Sequence, residues 1–244
     1  MKHHLHTHIK ENHNISTVAS FLKEIVYGGT DGVVTTFAVV AGFTGANFGG
    51  SVVQFSFLTV LLFGLANMFA DGISMGLGNL LSLRSEKKHY EHERKKEMYE
   101  IINNPESEKH ETVELLQVKG FSKNDAEQLS NIYSKNPEYW ADFMMNHELE
   151  MPNPGNDNPI YNGLATFFSF LFFGFIPLIP YFFPQEVGNT FILACSFALG
   201  ALILIGILRW KITRENIWKS MSEVIFLGGT AAVVAFIVGT FFQG

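Results

Sequence analysis

The stretch that decides the fold class is residues 52–80, VVQFSFLTVLLFGLANMFADGISMGLGNL. It continues without a helix breaker into residues 81–102, LSLRSEKKHYEHERKKEMYEII. The first run is long enough to cross a bilayer, since a spanning helix needs about 20 largely apolar residues. The second run is mostly polar and charged. Together they predict one long helix that leaves a membrane and projects into water.

The same partition holds over the whole chain of 244 residues. Residues 25–83 and 160–243 are mostly apolar, whereas residues 84–158 carry 16 acidic and 10 basic side chains. The remaining chain has seven of each sign, so the formal net charge of −6 lies entirely on this insert. A uniformly soluble protein rarely segregates its charge in this way.

Five segments are long and apolar enough to span a membrane. They lie near residues 25–46, 52–80, 162–183, 188–208 and 221–242. We therefore expect an all-α, polytopic membrane protein with a helical insert between its second and third spans. The expected divisions are a His-rich segment (1–24), two spans (25–83), the insert (84–159) and three spans (160–244).

The basic residues indicate the orientation of the spans. With five spans, all 17 Lys and Arg fall on one side, in the N-terminal segment, the insert and the 209–220 loop. Segments rich in Lys and Arg stay in the cytosol. The N-terminus and the insert are therefore expected to be cytosolic.

Capping residues divide the insert into helices. Asn104-Pro105 and Asn136-Pro137 each place a capping residue before a proline at the first helical position. Gly120 is expected to end the helix that starts at Pro105, and Ser122 to cap the next. The last helix of the insert is expected over Glu138–Glu150.

Acidic side chains recur on these helices three or four residues apart, so several share a face. They include Glu97 and Glu100, then Glu108 and Glu111, while Met144, Met145 and Glu148 group near the end of the insert. Paired glutamates from adjacent helices hold iron or manganese in helix bundles. Acidic stripes are also typical of solvated helix faces, so spacing alone leaves both interpretations open.

Polar residues also occur within the spans. Asp31 lies among glycines in the first span, and Asn67, Asp71 and Met75 follow one face of the second. Ionisable groups in hydrocarbon are costly and usually functional. Carboxylates must lose their protons to bind a metal, so these groups could exchange a cation for protons, and the thioether favours transition metals. Alternatively, the acids cap a helix break or bond a neighbouring span.

The N-terminal histidines have a spacing that matches no closed metal site, so we expect at most an accessory collector of metal. They are His3, His4, His6, His8 and His13. The single Cys195 excludes an intramolecular disulfide.

Several motifs together resemble the vacuolar iron transporter family. They are Thr30-Asp31-Gly32, Gly72-Ile73-Ser74-Met75-Gly76-Leu77-Gly78, Asn136-Pro137, Trp140 with Asp142-Phe143-Met144-Met145, and Gly174-Phe175-Ile176-Pro177-Leu178. The resemblance extends over nearly the whole chain from about residue 20.

The resemblance implies a homodimer of five-span protomers with the ion path at the dimer interface. By position, Asp31 and Met75 match residues of that path. The residues that match the ligands of a cytosolic metal-binding domain are Glu97, Glu100, Glu108, Glu111 and Glu148, with Met144 and Met145 beside them. The family pattern has a glutamate where this chain has Asn67 and a small residue where it has Asp71. Either the acid has moved by one helical turn, or the stoichiometry or metal preference differs.

We therefore expect a proton-coupled antiporter, not an enzyme, that exports Fe²⁺ and also Mn²⁺ from the cytosol. It needs no cofactor; the insert binds Fe²⁺, with Mn²⁺, Zn²⁺ or Co²⁺ as further candidates. Its partners are these metal ions, protons, membrane lipid and a second copy, without nucleic acid. A short chain without targeting extensions favours a prokaryotic plasma membrane over a vacuolar one. The alternatives are a membrane-anchored metal buffer or sensor, and a membrane di-iron enzyme, whose usual paired Glu-x-x-His motifs the insert lacks.

Overall fold

The computed structural model describes residues 20–47, 56–155, 158–183 and 187–242. The five N-terminal histidines lie outside this part of the chain. All regular elements within it are helices. They form two compact units, one made of the residues up to Leu80 and from Ile160 onward, the other of Leu81–Pro159.

The first unit contains five helices that are long and apolar enough to cross a membrane, which confirms the predicted number of spans. Its helices are α1 (Leu22–Asn47), the apolar half of α2 (Phe57–Asn103), α6 (Pro159–Phe175), α7 (Val187–Thr213) and α8 (Ile217–Thr240). α2 is a single helix of 47 residues, as the unbroken 52–102 run predicts. It begins at Phe57 rather than at residue 52; Ser56 is not helical, and 52–55 lie outside the described residues.

The five helices alternate in direction. Gly28 of α1 packs on Thr166 of α6, and Gly45 packs on Phe236 of α8, so α1, α6 and α8 run parallel. Gly64 of α2 packs on Leu178 and Gly76 on Gly163, so α2 runs opposite to the third span. The beginnings of α1, α6 and α8 therefore lie at the end of the unit where α2 leaves it.

Glycine allows α2 and α6 to approach closely beside Met75. A Cβ atom added to Gly163 would lie 2.7 Å from the carbonyl oxygen of Gly76, and one added to Gly76 would lie 2.9 Å from that of Gly163. Both distances are well inside van der Waals contact. Any larger residue at either position would push the two helices apart.

Two prolines change the end of the third span. α6 ends at Phe175, and a 3₁₀ segment continues over Ile176–Phe182. Pro180 has no N–H to donate, and its ring crowds the carbonyl four residues earlier. The third span predicted near 162–183 is therefore confirmed as a candidate span over Pro159–Phe182, whose last part is 3₁₀ rather than α-helical. Leu178 and Tyr181 of the 3₁₀ segment pack in a core with Val40 of α1.

The second unit consists of the polar half of α2 and three short helices, α3 (Pro105–Val118), α4 (Lys123–Tyr133) and α5 (Pro137–His147). Its core joins α2 to α5 through Ile101, Trp140, Ala141 and Met144.

Two of the three predicted caps of the insert are confirmed. Ser122 accepts a hydrogen bond from the backbone N–H of Asp125, and Asn136 accepts one from Tyr139. The side chain of Asn104 makes no such bond, so α3 starts with Pro105 but without a side-chain cap. Gly120 follows the end of α3 with φ of 99°, as expected.

The end of α5 differs from the prediction. The helix stops at His147 rather than at residue 150, and Glu150 has φ of 51°, in the left-handed region that a right-handed helix cannot use.

Candidate metal-binding and transport site

Three of the polar residues predicted in the spans, Asp31 of α1 with Asn67 and Asp71 of α2, lie near one another. The amide nitrogen of Asn67 donates to the carboxylate of Asp71 over 2.6 Å. Asp31 of α1 is close enough to Asp71 for their charges to repel. Met75 lies one turn further along α2 on the same face. All four side chains are half-buried in the single chain.

A cavity of about 680 Å³ reaches Asp31 from the end of the unit where α1 begins. Lys23, Thr30 and Glu223 also line it, and Arg209 lies at the same mouth, paired with Glu223 over 2.7 Å and with Glu215 over 3.4 Å. Asp31 is therefore accessible from one end of the membrane unit through a mainly apolar opening that also carries Lys23, Arg209 and Glu223.

Two of the predicted ligands in the second unit are buried carboxylates that face each other. Glu97 of α2 is 6% exposed and Glu108 of α3 is 2% exposed. They approach closely enough for a protonated Glu108 to donate a hydrogen bond to Glu97. One oxygen of each carboxyl group, Oε1 of Glu97 and Oε2 of Glu108, is buried and has no hydrogen-bond partner outside the pair among the described residues. Buried polar atoms without partners are unusual in native proteins and suit a cation ligand.

The environment of this pair favours protonation. Burial, followed by the charge of Glu148, raises the pKa of Glu97 to about 7. Burial, followed by the charges of Glu97 and Glu111, raises the pKa of Glu108 to about 8. Two interacting carboxyls titrate as a pair. Near neutral pH the pair therefore retains a proton that a bound cation would displace.

The other predicted carboxylates surround this pair at a more exposed level. Burial, together with the charges of Glu111 and Glu100, also raises the pKa of Glu148. Glu100, Glu108 and Glu111 line an open cleft of about 590 Å³. Ser107 in this cleft donates a hydrogen bond to Glu111 over 3.1 Å.

These carboxylates do not form a closed coordination shell. In the ranges that the structure covers, no three Asp, Glu, His or Cys side chains are gathered closely enough to hold a metal ion. Five acidic groups nevertheless lie near enough to repel one another. A cation bound here would have to draw these carboxylates toward itself. The side chains of Glu100 and Glu148 are exposed and therefore free to make this movement.

The two predicted methionine ligands are fully buried, and a residue that the sequence analysis missed holds one of them. Trp140 donates its indole N–H to the hydroxyl of Thr112 over 2.8 Å, and this hydroxyl lies 3.4 Å from the sulfur of Met144. Thr112 also donates to the backbone oxygen of Glu108 over 2.7 Å. Its position four residues after Glu108, on the same face of α3, is the signal that could have found it.

A second missed residue ties α2 to α5. Arg94 donates from Nε to Asp142 over 2.8 Å and from Nη2 to Glu138 over 2.7 Å. The sequence offers no specific signal for this pairing, because the partners are more than 40 residues away. Arg94 lies on the helix that carries Glu97, and its partners lie on the helix that carries Met144.

The chain is similar in sequence to known proteins. A model of the VIT family matches residues 22–240. The chain is 37% identical to a vacuolar iron transporter of Toxoplasma gondii, over 96% of this chain and 78% of that protein. It is 31% identical to vacuolar iron transporter 1 of Arabidopsis thaliana, over 100% and 92% of the two chains, and 31% identical to vacuolar iron transporter 1 of rice, over 96% and 89%.

Proposed function

The chain belongs to the VIT family, and from this premise we propose that it exports Fe²⁺ from the cytosol in exchange for protons, with Mn²⁺ as a second substrate. Membership supports an iron-transporting membrane protein and favours a carrier over an enzyme. Proton coupling, the direction of transport and the role of each residue are the parts that we add.

The observation that carries the proposal is the group formed by Asp31, Asn67 and Asp71 within the spans. Two carboxylates close enough to repel are costly in a membrane. A divalent cation relieves this repulsion, and so does a proton on either acid. Binding of one therefore opposes binding of the other, and this competition is the physical basis of antiport. Met75, on the same face of α2, adds a thioether that favours transition metals.

The insert supplies a site for the same ion before it enters the spans. The buried pair of Glu97 and Glu108, the sulfur of Met144 and the more exposed carboxylates offer both oxygen and sulfur ligands. Fe²⁺ is the cargo of this site. Zn²⁺ and Co²⁺ are accepted by the same ligand types.

The distribution of basic residues supports export. Lys23 and Arg209 lie at the end of the membrane unit where α2 leaves it, and cytosolic ends are the ones that carry Lys and Arg. An acidic insert on the cytosolic side would collect cations there. This topology is compatible with delivery of the ion either to the cell exterior or to the lumen of a vacuole.

A second copy of the chain is part of the proposal. Asp31, Asn67 and Asp71 are only half-buried in the single chain, although they lie in apolar spans. Phe63, one turn before Asn67 on the same face of α2, is a large apolar side chain that is 55% exposed. Polar groups at this depth need cover other than lipid tails. A homodimer that packs α2 against α2 would provide it.

The dimer is tested by crosslinking in the Cys195→Ala background. We expect Phe63→Cys on α2 to form a disulfide-linked dimer in native membranes, whereas Phe226→Cys on the exposed face of α8 does not. Crosslinking at residue 226 alone would place the interface on α8 and contradict this arrangement.

The central experiment measures metal flux into proteoliposomes that contain the full chain. With an acidic lumen and the insert outside, we expect Fe²⁺ to enter and its flux to fall severalfold when an ionophore collapses the pH gradient. Asp31→Asn should reduce flux about tenfold or more, because the neutral amide removes one of the two charges that balance the cation within the spans. Glu114→Gln, at an exposed acid of the insert, is the matched control and should transport normally.

Three outcomes would contradict different parts of the proposal. Absence of both Fe²⁺ and Mn²⁺ flux would leave a membrane-anchored metal buffer as the better interpretation. Flux that ignores the pH gradient would exclude proton coupling. Normal flux in Asp31→Asn would remove that residue from the path.

A further inference from the structure

Thr112 lies at the centre of a buried network that connects two candidate ligands. Thr112 and Met144 are 0% exposed and Trp140 is 1% exposed. The threonine hydroxyl receives the indole N–H of Trp140 at 2.8 Å. The same oxygen lies 2.7 Å from the backbone oxygen of Glu108 and 3.4 Å from the sulfur of Met144.

The direction of these bonds follows from the groups involved. An indole N–H can only donate, so Trp140 occupies one lone pair of the Thr112 hydroxyl. The single hydroxyl proton must then point toward the carbonyl of Glu108 or the sulfur of Met144, the only two acceptors described around it. The Thr112 hydroxyl can therefore donate to only one of these two acceptors at a time.

This contact restricts a side chain that is otherwise adaptable. Methionine has three rotatable bonds and fits irregular spaces, so burial alone does not fix its sulfur. The rotamer seen in the structure places the sulfur 3.4 Å from the hydroxyl, within reach of its proton. When that proton points to the sulfur it occupies one lone pair, and the second lone pair is available to a cation.

We propose that Thr112 is a positioning residue that holds the Met144 sulfur at the metal site of the insert and thereby sets its preference for softer transition metals. The inference rests on the proposed function, because it concerns the metal site assigned there. A thioether contributes to Co²⁺, Zn²⁺ or Fe²⁺ binding and little to binding of the harder Mn²⁺. If the Met144 sulfur loses this position, binding of Co²⁺, Zn²⁺ and Fe²⁺ therefore weakens more than binding of Mn²⁺.

The test compares the dissociation constants of Co²⁺ and Mn²⁺ for the full chain in lipid nanodiscs by calorimetry. Thr112→Val keeps the shape of the side chain and removes the hydroxyl. We expect it to weaken Co²⁺ binding about tenfold and Mn²⁺ binding less than about twofold, a change in preference that a sulfur ligand explains. Thr112→Ser, which keeps the hydroxyl, should retain the native ratio.

Trp140→Phe separates positioning from general destabilisation. It breaks the same 2.8 Å hydrogen bond as Thr112→Val but leaves the hydroxyl beside the sulfur. We expect any loss of affinity in this variant to affect both metals equally. An unchanged Co²⁺ to Mn²⁺ ratio in Thr112→Val, or the same ratio change in Trp140→Phe, would overturn the inference.

The outcome also separates this inference from the proposed function. Native protein that binds both ions, with no ratio change in Thr112→Val, refutes the role of Thr112 alone. Native protein whose insert binds neither ion refutes the metal site itself, and with it this inference.

Discussion

Asp71 and Asn67 form a hydrogen-bonded pair on one face of α2, with 2.6 Å between amide nitrogen and carboxylate oxygen. The two residues are one helical turn apart on the same face, so an acid at either position can point into the same space between α1 and α2. The resemblance noted from the sequence implies a glutamate at the position of Asn67. The bond between the two side chains favours the interpretation in which the acid has moved by one turn while the site keeps its charge.

An exchange of the two residues tests this interpretation. Asp71→Asn alone should lower Fe²⁺ flux about tenfold, because the site loses a charge that the cation needs. The double variant Asn67→Asp/Asp71→Asn restores both the charge and the amide–carboxylate pair, and its flux should return to within about threefold of native. Proteoliposome flux measures both. A double variant as inactive as the single one would show that the acid is required at residue 71 itself.

Glu97 and Glu108 make the stability of the insert depend on pH. Their folded pKa values are raised above the value of about 4.5 expected for unfolded glutamate. The folded state therefore binds more protons than the unfolded state, and the free energy of unfolding falls as pH rises between about 5 and 8. Above about pH 8 both states are ionised and the loss levels off.

Hydrogen exchange of the α3 amides, corrected for intrinsic rates, measures this effect in the full chain. Protection should decrease from about pH 5 to pH 8 without metal. Glu108→Gln imitates the protonated acid, so it should flatten the profile and exceed native stability at pH 8 by at least about 1 kcal/mol. Protection that rises with pH would show that the pair is stabilised as two anions.

At the scale of helices, the ion pairs of Arg94 add to the apolar core that holds α5 against α2. Arg94→Ala removes bonds to Glu138 and Asp142, which are 74% and 47% exposed, so solvent screening limits the loss to about 1 kcal/mol. Faster exchange of the α5 amides and a several-fold weaker metal affinity should follow. Arg94→Lys keeps the charge but not the planar fork, so it should lie between native and alanine. Unchanged α5 protection in Arg94→Ala would assign the position of α5 to the apolar core alone.

Local chemistry made most helices predictable. Ser122 and Asn136 cap α4 and α5 as expected, because a side chain that bonds the next turn acts within three residues. The end of the third span was not predictable in the same way. Pro180 can either kink a helix or convert its end to 3₁₀ geometry, and packing of Leu178 and Tyr181 against α1 and α2 accompanies the second outcome.

The candidate site was predictable only to the level of residue types on helix faces. The spacing of Glu97, Glu108 and Met144 indicated candidate ligands. It could not show that the two glutamates are buried against each other, because this depends on how the consecutive helices α2 and α3 turn about Asn104. It could not show that Thr112 contacts Trp140 and Met144, because these residues are about 30 positions apart in sequence. Arg94 could not be distinguished from the other basic residues of α2 for the same reason.

At the scale of the whole molecule, the alternation of helix direction and the one-sided Lys and Arg residues make the topology testable. α1, α6 and α8 run parallel, so the end of α8 lies at the opposite end of the membrane unit from Lys23 and Arg209. Phe242, just beyond α8, is 77% exposed. Lys119, after α3, is an exposed position of the insert.

In the Cys195→Ala background, a membrane-impermeant maleimide applied to intact cells that carry the protein in the plasma membrane should label Phe242→Cys and not Lys119→Cys. Permeabilised cells should show both, which confirms that each position is reactive. The expectation follows from the retention of Lys- and Arg-rich segments in the cytosol. Labelling of Lys119→Cys in intact cells would place the insert outside, and its carboxylates would then collect cations for uptake rather than for export.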